Sequence, residues 1–304
     1  MEKQANSISL QLIYVLLSPL VPIGIRYLSL NGMDNITQNY IRFGSGAAAI
    51  LLITLIFFRK DLVVALRTPR VLVMLAAFSF AGSIAQYASV EGLSRVSAAM
   101  GGLIAIMGIP LTLVLATIFY HDEREITTNR RFIIGMSIAI AGTIGIGLAA
   151  PGAKLTYSIG ILWLFFAITI GSFSTVFLKH LLTTVHPFAA GTITSLLLTI
   201  QFLVLSLATG QLGNIADVPL KVVVIAILSG VQGLVLGIGL HFVLMKYIGI
   251  SRMNVWRLVI PVFTAILGYF LIGDKLSLGQ MAFGLVVLFG CWLCFFGRRK
   301  LEEC

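Results

Sequence analysis

Apolar residues in this chain run in long blocks separated by short polar breaks, and a helix that crosses a bilayer needs about 20 of them. Ten such blocks can be placed, near 8–29, 36–58, 71–91, 96–119, 132–149, 158–178, 187–208, 221–244, 248–272 and 278–297. The pattern predicts an all-α polytopic membrane protein. The first block, from Ile8 to about Leu30, is too long for a signal-peptide core and is read as the first span.

The blocks repeat. Gly249 to Gly290 reads as an apolar helix with Pro261 near its middle, a turn carrying Asp274 and Lys275, and a second apolar helix. An ungapped shift of 151 lays Pro110 on Pro261, Glu123 on Asp274, Gly82 on Gly233, Leu93 on Leu244, Arg95 on Lys246 and Phe119 on Phe270. Such self-similarity marks an internal duplication, with one unit over 1–150 and the other over 151–304. Five spans per unit is an odd number, so the second unit enters the bilayer from the opposite side. The expectation is ten transmembrane helices arranged as two inverted five-helix repeats, which provide outward-open and inward-open states around one central site.

Lys and Arg fix the orientation. With the N-terminus inside, 14 of them fall in inside segments, among them Arg59, Lys60, Arg67, Arg70, Arg130 and Arg131, and only Arg95, Lys154, Lys221 and Lys275 fall outside. Both termini are therefore expected in the cytoplasm. Composition agrees with a membrane protein: 59% of residues are hydrophobic and 11% charged, against about 25% in a soluble domain. The net charge of +10 is spread in clusters between apolar blocks, as topology determinants are, and does not indicate nucleic acid. Cys291 and Cys294 form a CxxC within an apolar helix without a second pair or a nearby histidine, so they read as packing residues. No metal, cofactor or obligatory protein partner is expected; the partners are the bilayer and a small-molecule solute.

The segments GLSRVSAAMGGLIAIMGIPLTLVLATIFYHDE (92–123) and VLMKYIGISRMNVWRLVIPVFTAILGYFLIGDK (243–275) make each half resemble an EamA-type unit of the drug/metabolite transporter superfamily. Arg42, in NYIRFGSGAAAILL, matches the arginine near the start of that family's second helix, and the resemblance covers nearly the whole chain. One departure is Asp274, where glutamate is usual; at a loop position little consequence is expected. The resemblance implies a transporter whose cavity is commonly lined by aromatic residues from spans 1, 3, 6, 8 and 9. On those spans stand Tyr14, Tyr87, Trp163 and Trp256, with an interfacial belt as the alternative, strongest for Trp163. It also implies a bacterial inner-membrane location and, for the direction of transport, export.

Several residues stand out against their apolar surroundings. A proline leaves the carbonyl four residues earlier without its helical donor, here at Ile106 and Arg257. Pro110 and Pro261 are therefore expected as hinges beside a cavity, or else as static kinks. Arg257 lies one turn before Pro261, with no carboxylate at its depth in any span; it faces the cavity or snorkels to the cytoplasm. Arg26 and Arg42 lie in the outer thirds of their spans and either snorkel or face a vestibule. Gln232, mid-span, is helix–helix glue or a substrate contact, and Asn254 can share the face of Arg257. His241 reads as hydrogen-bonded packing, and Gly101 and Gly102 as close-packing positions.

All eleven acids fall in loops, span ends or termini. No mid-membrane carboxylate is left to relay protons or hold sodium, so facilitated diffusion or exchange is expected. Buried arginines without buried acids favour a carboxylate-bearing solute, amino acids or related small organic acids. Drugs or organic cations, nucleotide-like metabolites, a passive channel and a membrane-embedded enzyme are the rival readings. The enzyme lacks a nucleophile or metal cluster at one depth, since His121, His180, His186 and His241 are isolated along the sequence.

Overall fold

The computed structural model describes residues 2–119, 129–149, 155–244, 257 and 259–296. Among these the regular elements are all helical, with no strand. In chain order they are α1 (Glu2–Leu17), α2 (Leu20–Leu30), α3 (Asn35–Phe57), α4 (Arg59–Arg67), α5 (Pro69–Leu93), α6 (Ala98–Ala105), α7 (Gly108–Phe119), α8 (Arg130–Leu148), α9 (Leu155–Leu181), α10 (Pro187–Ala208), α11 (Leu220–Leu234), α12 (Ile260–Ile272) and α13 (Leu278–Phe296). A 3-10 turn, Gln211–Asp217, precedes α11, and a π-helical turn, Val235–Leu240, follows it.

Among the described residues, seven helical stretches are long and apolar enough to cross a membrane: Leu10–Leu30, Asn35–Phe57, Pro69–Leu93, Ala98–Leu115, Ile159–Leu181, Pro187–Ala208 and Leu220–Leu244. The described parts of the blocks near 132–149, 248–272 and 278–297 fall on α8, α12 and α13. Large apolar side chains cover the exterior, Ile56, Val73, Leu162, Phe270 and Leu285 being at least two-thirds exposed. A surface of that kind is stable against lipid and not against water. The chain is an integral membrane protein.

Helix ends follow local chemistry. The Asp34 carboxylate accepts from the amides of Ile36 (3.0 Å) and Thr37 (2.8 Å) and starts α3. Pro69 and Pro187 open α5 and α10, where a missing N–H leaves nothing unpaired. Gly273 ends α12 at φ +69°, a left-handed conformation that favours glycine.

Two expected spans are not continuous. The first breaks at Ser18–Pro19, between α1 and α2, and the fourth at Ile106–Met107, between α6 and α7. Pro110 consequently stands in the first turn of α7, and Pro261 in the first turn of the described part of its helix. The Ile106 carbonyl, expected to lack a donor, accepts from the Ile109 amide at 2.9 Å, because the chain tightens to three-residue turns at the break. The basic segment after α3, read from the sequence as a loop, forms α4.

Helix pairing sets the interior. α3 lies between α10 and α11; α5 packs on α9, α6 on α12, and α8 on α13. Small residues allow main chain to meet main chain. A Cβ on Gly230 would collide with the Arg42 carbonyl oxygen, and one on Gly290 would sit 2.6 Å from the Ala139 nitrogen.

Candidate functional site

Where α2, α3, α5, α6, α9, α11 and α12 converge, they enclose a cavity of about 450 Å³. That volume is in the range of small-molecule sites, about 300–1,000 Å³. Both halves of the chain contribute. From the first come Tyr14, Ser18 and Pro22 at the α1–α2 break, Arg42 on α3, Gln86 and Ser89 on α5, and Gly101, Gly102 and Ile106 around the α6–α7 break. From the second come Ala167 and Gly171 on α9, Gly233 and Gly237 at the end of α11, then Arg257, Pro261 and Thr264. Among the described residues the lining carries two guanidinium groups and no carboxylate.

Arg42 is 4% exposed, and its Nε and Nη1 are buried without a hydrogen-bond partner. Gly233 faces it: a Cβ there would lie 3.8 Å from Arg42 Nη2. Arg257 lies close enough to His241 for its charge to act on the imidazole. The Tyr14 hydroxyl and His241 Nδ1 are 3.3 Å apart, joining α1 to the end of the eighth span. His241 thus has the hydrogen-bonded packing role expected of it.

Of the other expected site residues, Tyr87, Trp163, Gln232 and Pro110 are described and do not line this cavity. Tyr87 and Trp163 meet edge to face, ring centroids 6.1 Å apart, across the α5–α9 interface. Gln232 Nε2 donates to the Leu17 carbonyl at 2.9 Å. That carbonyl loses its helical donor at the α1–α2 break, where the Val21 amide turns to Ser18 O instead. Pro110 adjoins the lining residue Ile109. Asn254 and Trp256 lie outside the described residues. Gly101 and Gly102 line the cavity, and Gly101 packs closely against Leu93.

A polar clasp bounds the cavity next to Leu93. Arg26 Nη1 donates to the Ser94 carbonyl (2.5 Å) and more weakly to that of Leu93 (3.4 Å). The Asp274 carboxylate accepts from the Ala98 amide at 2.7 Å and so caps α6 alongside Ser97. Asn35 Nδ2 donates to Glu91 at 2.7 Å, and Glu91 also pairs with Arg95. Burial holds the Asp274 carboxyl above its usual range, opposed by the Ala98 amide and by Arg26.

Sequence reasoning passed over Asp274 as a loop acid, and it passed over Ser18, Gln86, Ser89 and Thr264. The Ser18-Pro19 and Val21-Pro22 steps were the available signal for the first break.

Residues 158–296 match the EamA-like transporter family. Over 98% of its length the chain is 28% identical to an uncharacterized transporter of Haemophilus influenzae, 99% of which is covered. A protein of known crystal structure superposes with a TM-score of 0.61 at 17% identity, covering 98% of this chain and 99% of that one. At that identity the likeness concerns the fold alone.

Proposed function

We propose that this chain, whose residues 158–296 match the EamA-like transporter family, is a transporter of the drug/metabolite transporter superfamily and works as an alternating-access carrier for small carboxylate-bearing solutes. Transport of small solutes across a membrane is the activity common to this assignment. The finer reading is ours: uniport or exchange of amino acids or related small organic acids, in the direction of export, across a bacterial inner membrane with both termini in the cytoplasm.

One observation carries it. One cavity is built from both halves of the chain, and among the described residues its lining holds Arg42 and Arg257 with no acid. A carboxylate entering it finds charge compensation that an organic cation does not.

Two inverted units, 1–150 and 151–304, supply the mechanism in this reading, and the packing supports them. In a twofold arrangement a residue on the axis touches its own counterpart. The 151-residue shift makes counterparts of Ala139 and Gly290, whose backbones are in contact between α8 and α13. It also pairs Ala47 with Leu198, which share one apolar cluster with the stacked rings of Phe43 and Phe202. The broken helix α6–α7 and the proline at the start of α12 lie against the cavity, where a change of angle opens one side and closes the other.

Counterflow into proteoliposomes tests the proposal. Labelled carboxylate-bearing solutes are expected to enter saturably and faster when the lumen holds unlabelled solute. Movement of organic cations with no movement of carboxylates would refute the substrate class. Non-saturable flux without trans-stimulation would point to a channel.

A further inference from the structure

We propose that the cavity selects a solute with an acidic group at each end, a small dicarboxylate, and that Arg42 sets this preference. The inference rests on the transport reading above and narrows its substrate class.

Arg42 is the more informative of the two cations. It comes from the outer third of α3, is almost wholly buried, and lines the cavity, yet Nε and Nη1 have no protein acceptor. A guanidinium carries five N–H donors and is not deprotonated in proteins. Burying it without acceptors is strongly unfavourable, and one turn away on α3 the neighbours offer amides but no carboxylate. The Gln38 amide nitrogen is committed to Ser29 Oγ (3.0 Å) and Asn35 Oδ1 (3.2 Å). Gly233 leaves the opposing wall free of a side chain just where Arg42 Nη2 approaches it. A buried, unsatisfied, planar donor set beside open space is the complement of a carboxylate.

Arg257 adds a second positive charge to the same cavity from a different segment, beside the Tyr14–His241 pair. Its five donors let it take a carboxylate in addition to any protein partner. The other polar lining groups are neutral: Ser18, Gln86, Ser89 and Thr264.

Charge matching then ranks the solutes. A neutral amino acid brings an ammonium into a chamber holding two guanidinium groups and no acid to receive it. A monocarboxylate matches one cation and leaves the other. A dianion matches both, and about 450 Å³ accommodates a chain of a few carbons with its carboxylates apart. Rejection of the zwitterion by like charge is as much a part of this specificity as attraction of the dianion.

The test uses the full chain in proteoliposomes, with labelled succinate, butyrate and alanine as probes and tetramethylammonium as the cation. Succinate counterflow is expected at a kcat/KM at least tenfold above those of butyrate and alanine. Arg42→Gln is expected to raise the KM for succinate at least tenfold while leaving that for butyrate within about twofold, and Arg42→Lys to keep the order of preference. Butyrate or alanine moving as well as succinate overturns the dicarboxylate preference and leaves carboxylate transport standing. Tetramethylammonium moving while no carboxylate does overturns both readings. An equal loss for all three carboxylates in Arg42→Gln assigns Arg42 a structural role and overturns its part. Should that variant not fold, the wild-type melting temperature decides: succinate is expected to raise it more than butyrate, and equal shifts overturn the inference.

Discussion

The carboxylate of Asp274 accepts a hydrogen bond from the main-chain amide of Ala98 at 2.7 Å, joining positions 176 residues apart in the chain. It ties the turn between α12 and α13 to the first residue of α6, at the same end of the cavity where Arg26 holds the carbonyls of Leu93 and Ser94. A side chain that looked incidental in the sequence therefore ties the second half of the chain to the first beside the chamber.

Removing this cap separates its acceptor from its charge. Asp274→Ala loses both and is expected to destabilise the protein by about 0.5–2 kcal/mol, the usual effect of deleting an N-cap. Asp274→Asn keeps an oxygen that accepts from Ala98 and lacks the charge that burial disfavours, so at neutral pH it is expected to melt at or above wild type. Melting temperatures of the three proteins in one detergent check the order.

The same carboxyl makes stability depend on pH in a defined direction. Burial holds it above its ordinary value of 3.8, so the folded protein binds the proton more tightly than the unfolded chain. Its contribution is complete below the unfolded value and is lost as pH rises through the folded one. Wild-type melting temperature, measured relative to Asp274→Asn, is expected to drop across the mildly acidic range above 3.8. A rise over that range would contradict the assignment.

How much of this was legible beforehand depends on the kind of signal. Spans show as apolar blocks, and the 151-residue shift sets Ala139 against Gly290, which are in contact. Charged and aromatic residues in such blocks are conspicuous, so Tyr14, Arg42 and Arg257 stood out, and all three line the cavity. Hydropathy does not fix how a helix is rotated about its axis. Gln86 lines the cavity while Tyr87, about 100° further round, packs on Trp163. Ser18 and Thr264 were hidden because their hydroxyls bond within their own helix, to Tyr14 O (2.6 Å) and Ile260 O (3.0 Å), as such residues commonly do. Asp274 finds its partner only in the other half of the folded chain.

Arg257→Ala is expected to reduce transport at least tenfold while expression and melting temperature stay near wild type, because the residue lines the cavity rather than the core. Normal transport by this variant would remove Arg257 from the site.

Gly230 has no room for a side chain. A Cβ would collide with Arg42 O and with Ser45 Oγ, so Gly230→Ala is expected to cost about 1–3 kcal/mol and to displace Arg42. A thermal unfolding comparison with Gly171→Ala, where a Cβ meets open space, isolates the effect.

Pro261→Ala is expected to restore a backbone donor in the first turn of α12 and to slow turnover without weakening solute binding. Paired measurements of exchange rate and ligand-induced melting shift separate the two. Unchanged turnover would favour a static role for the proline.

The contact of α3 with α11 has a mechanical meaning. With Gly46 and Gly230 interlocked, neither helix slides along the other without driving backbone into backbone. In the proposed cycle Arg42 and Gly233 would then keep their spacing whichever mouth is open, so the proposed anion socket would travel as one rigid piece and the accommodation would fall to the walls that face it.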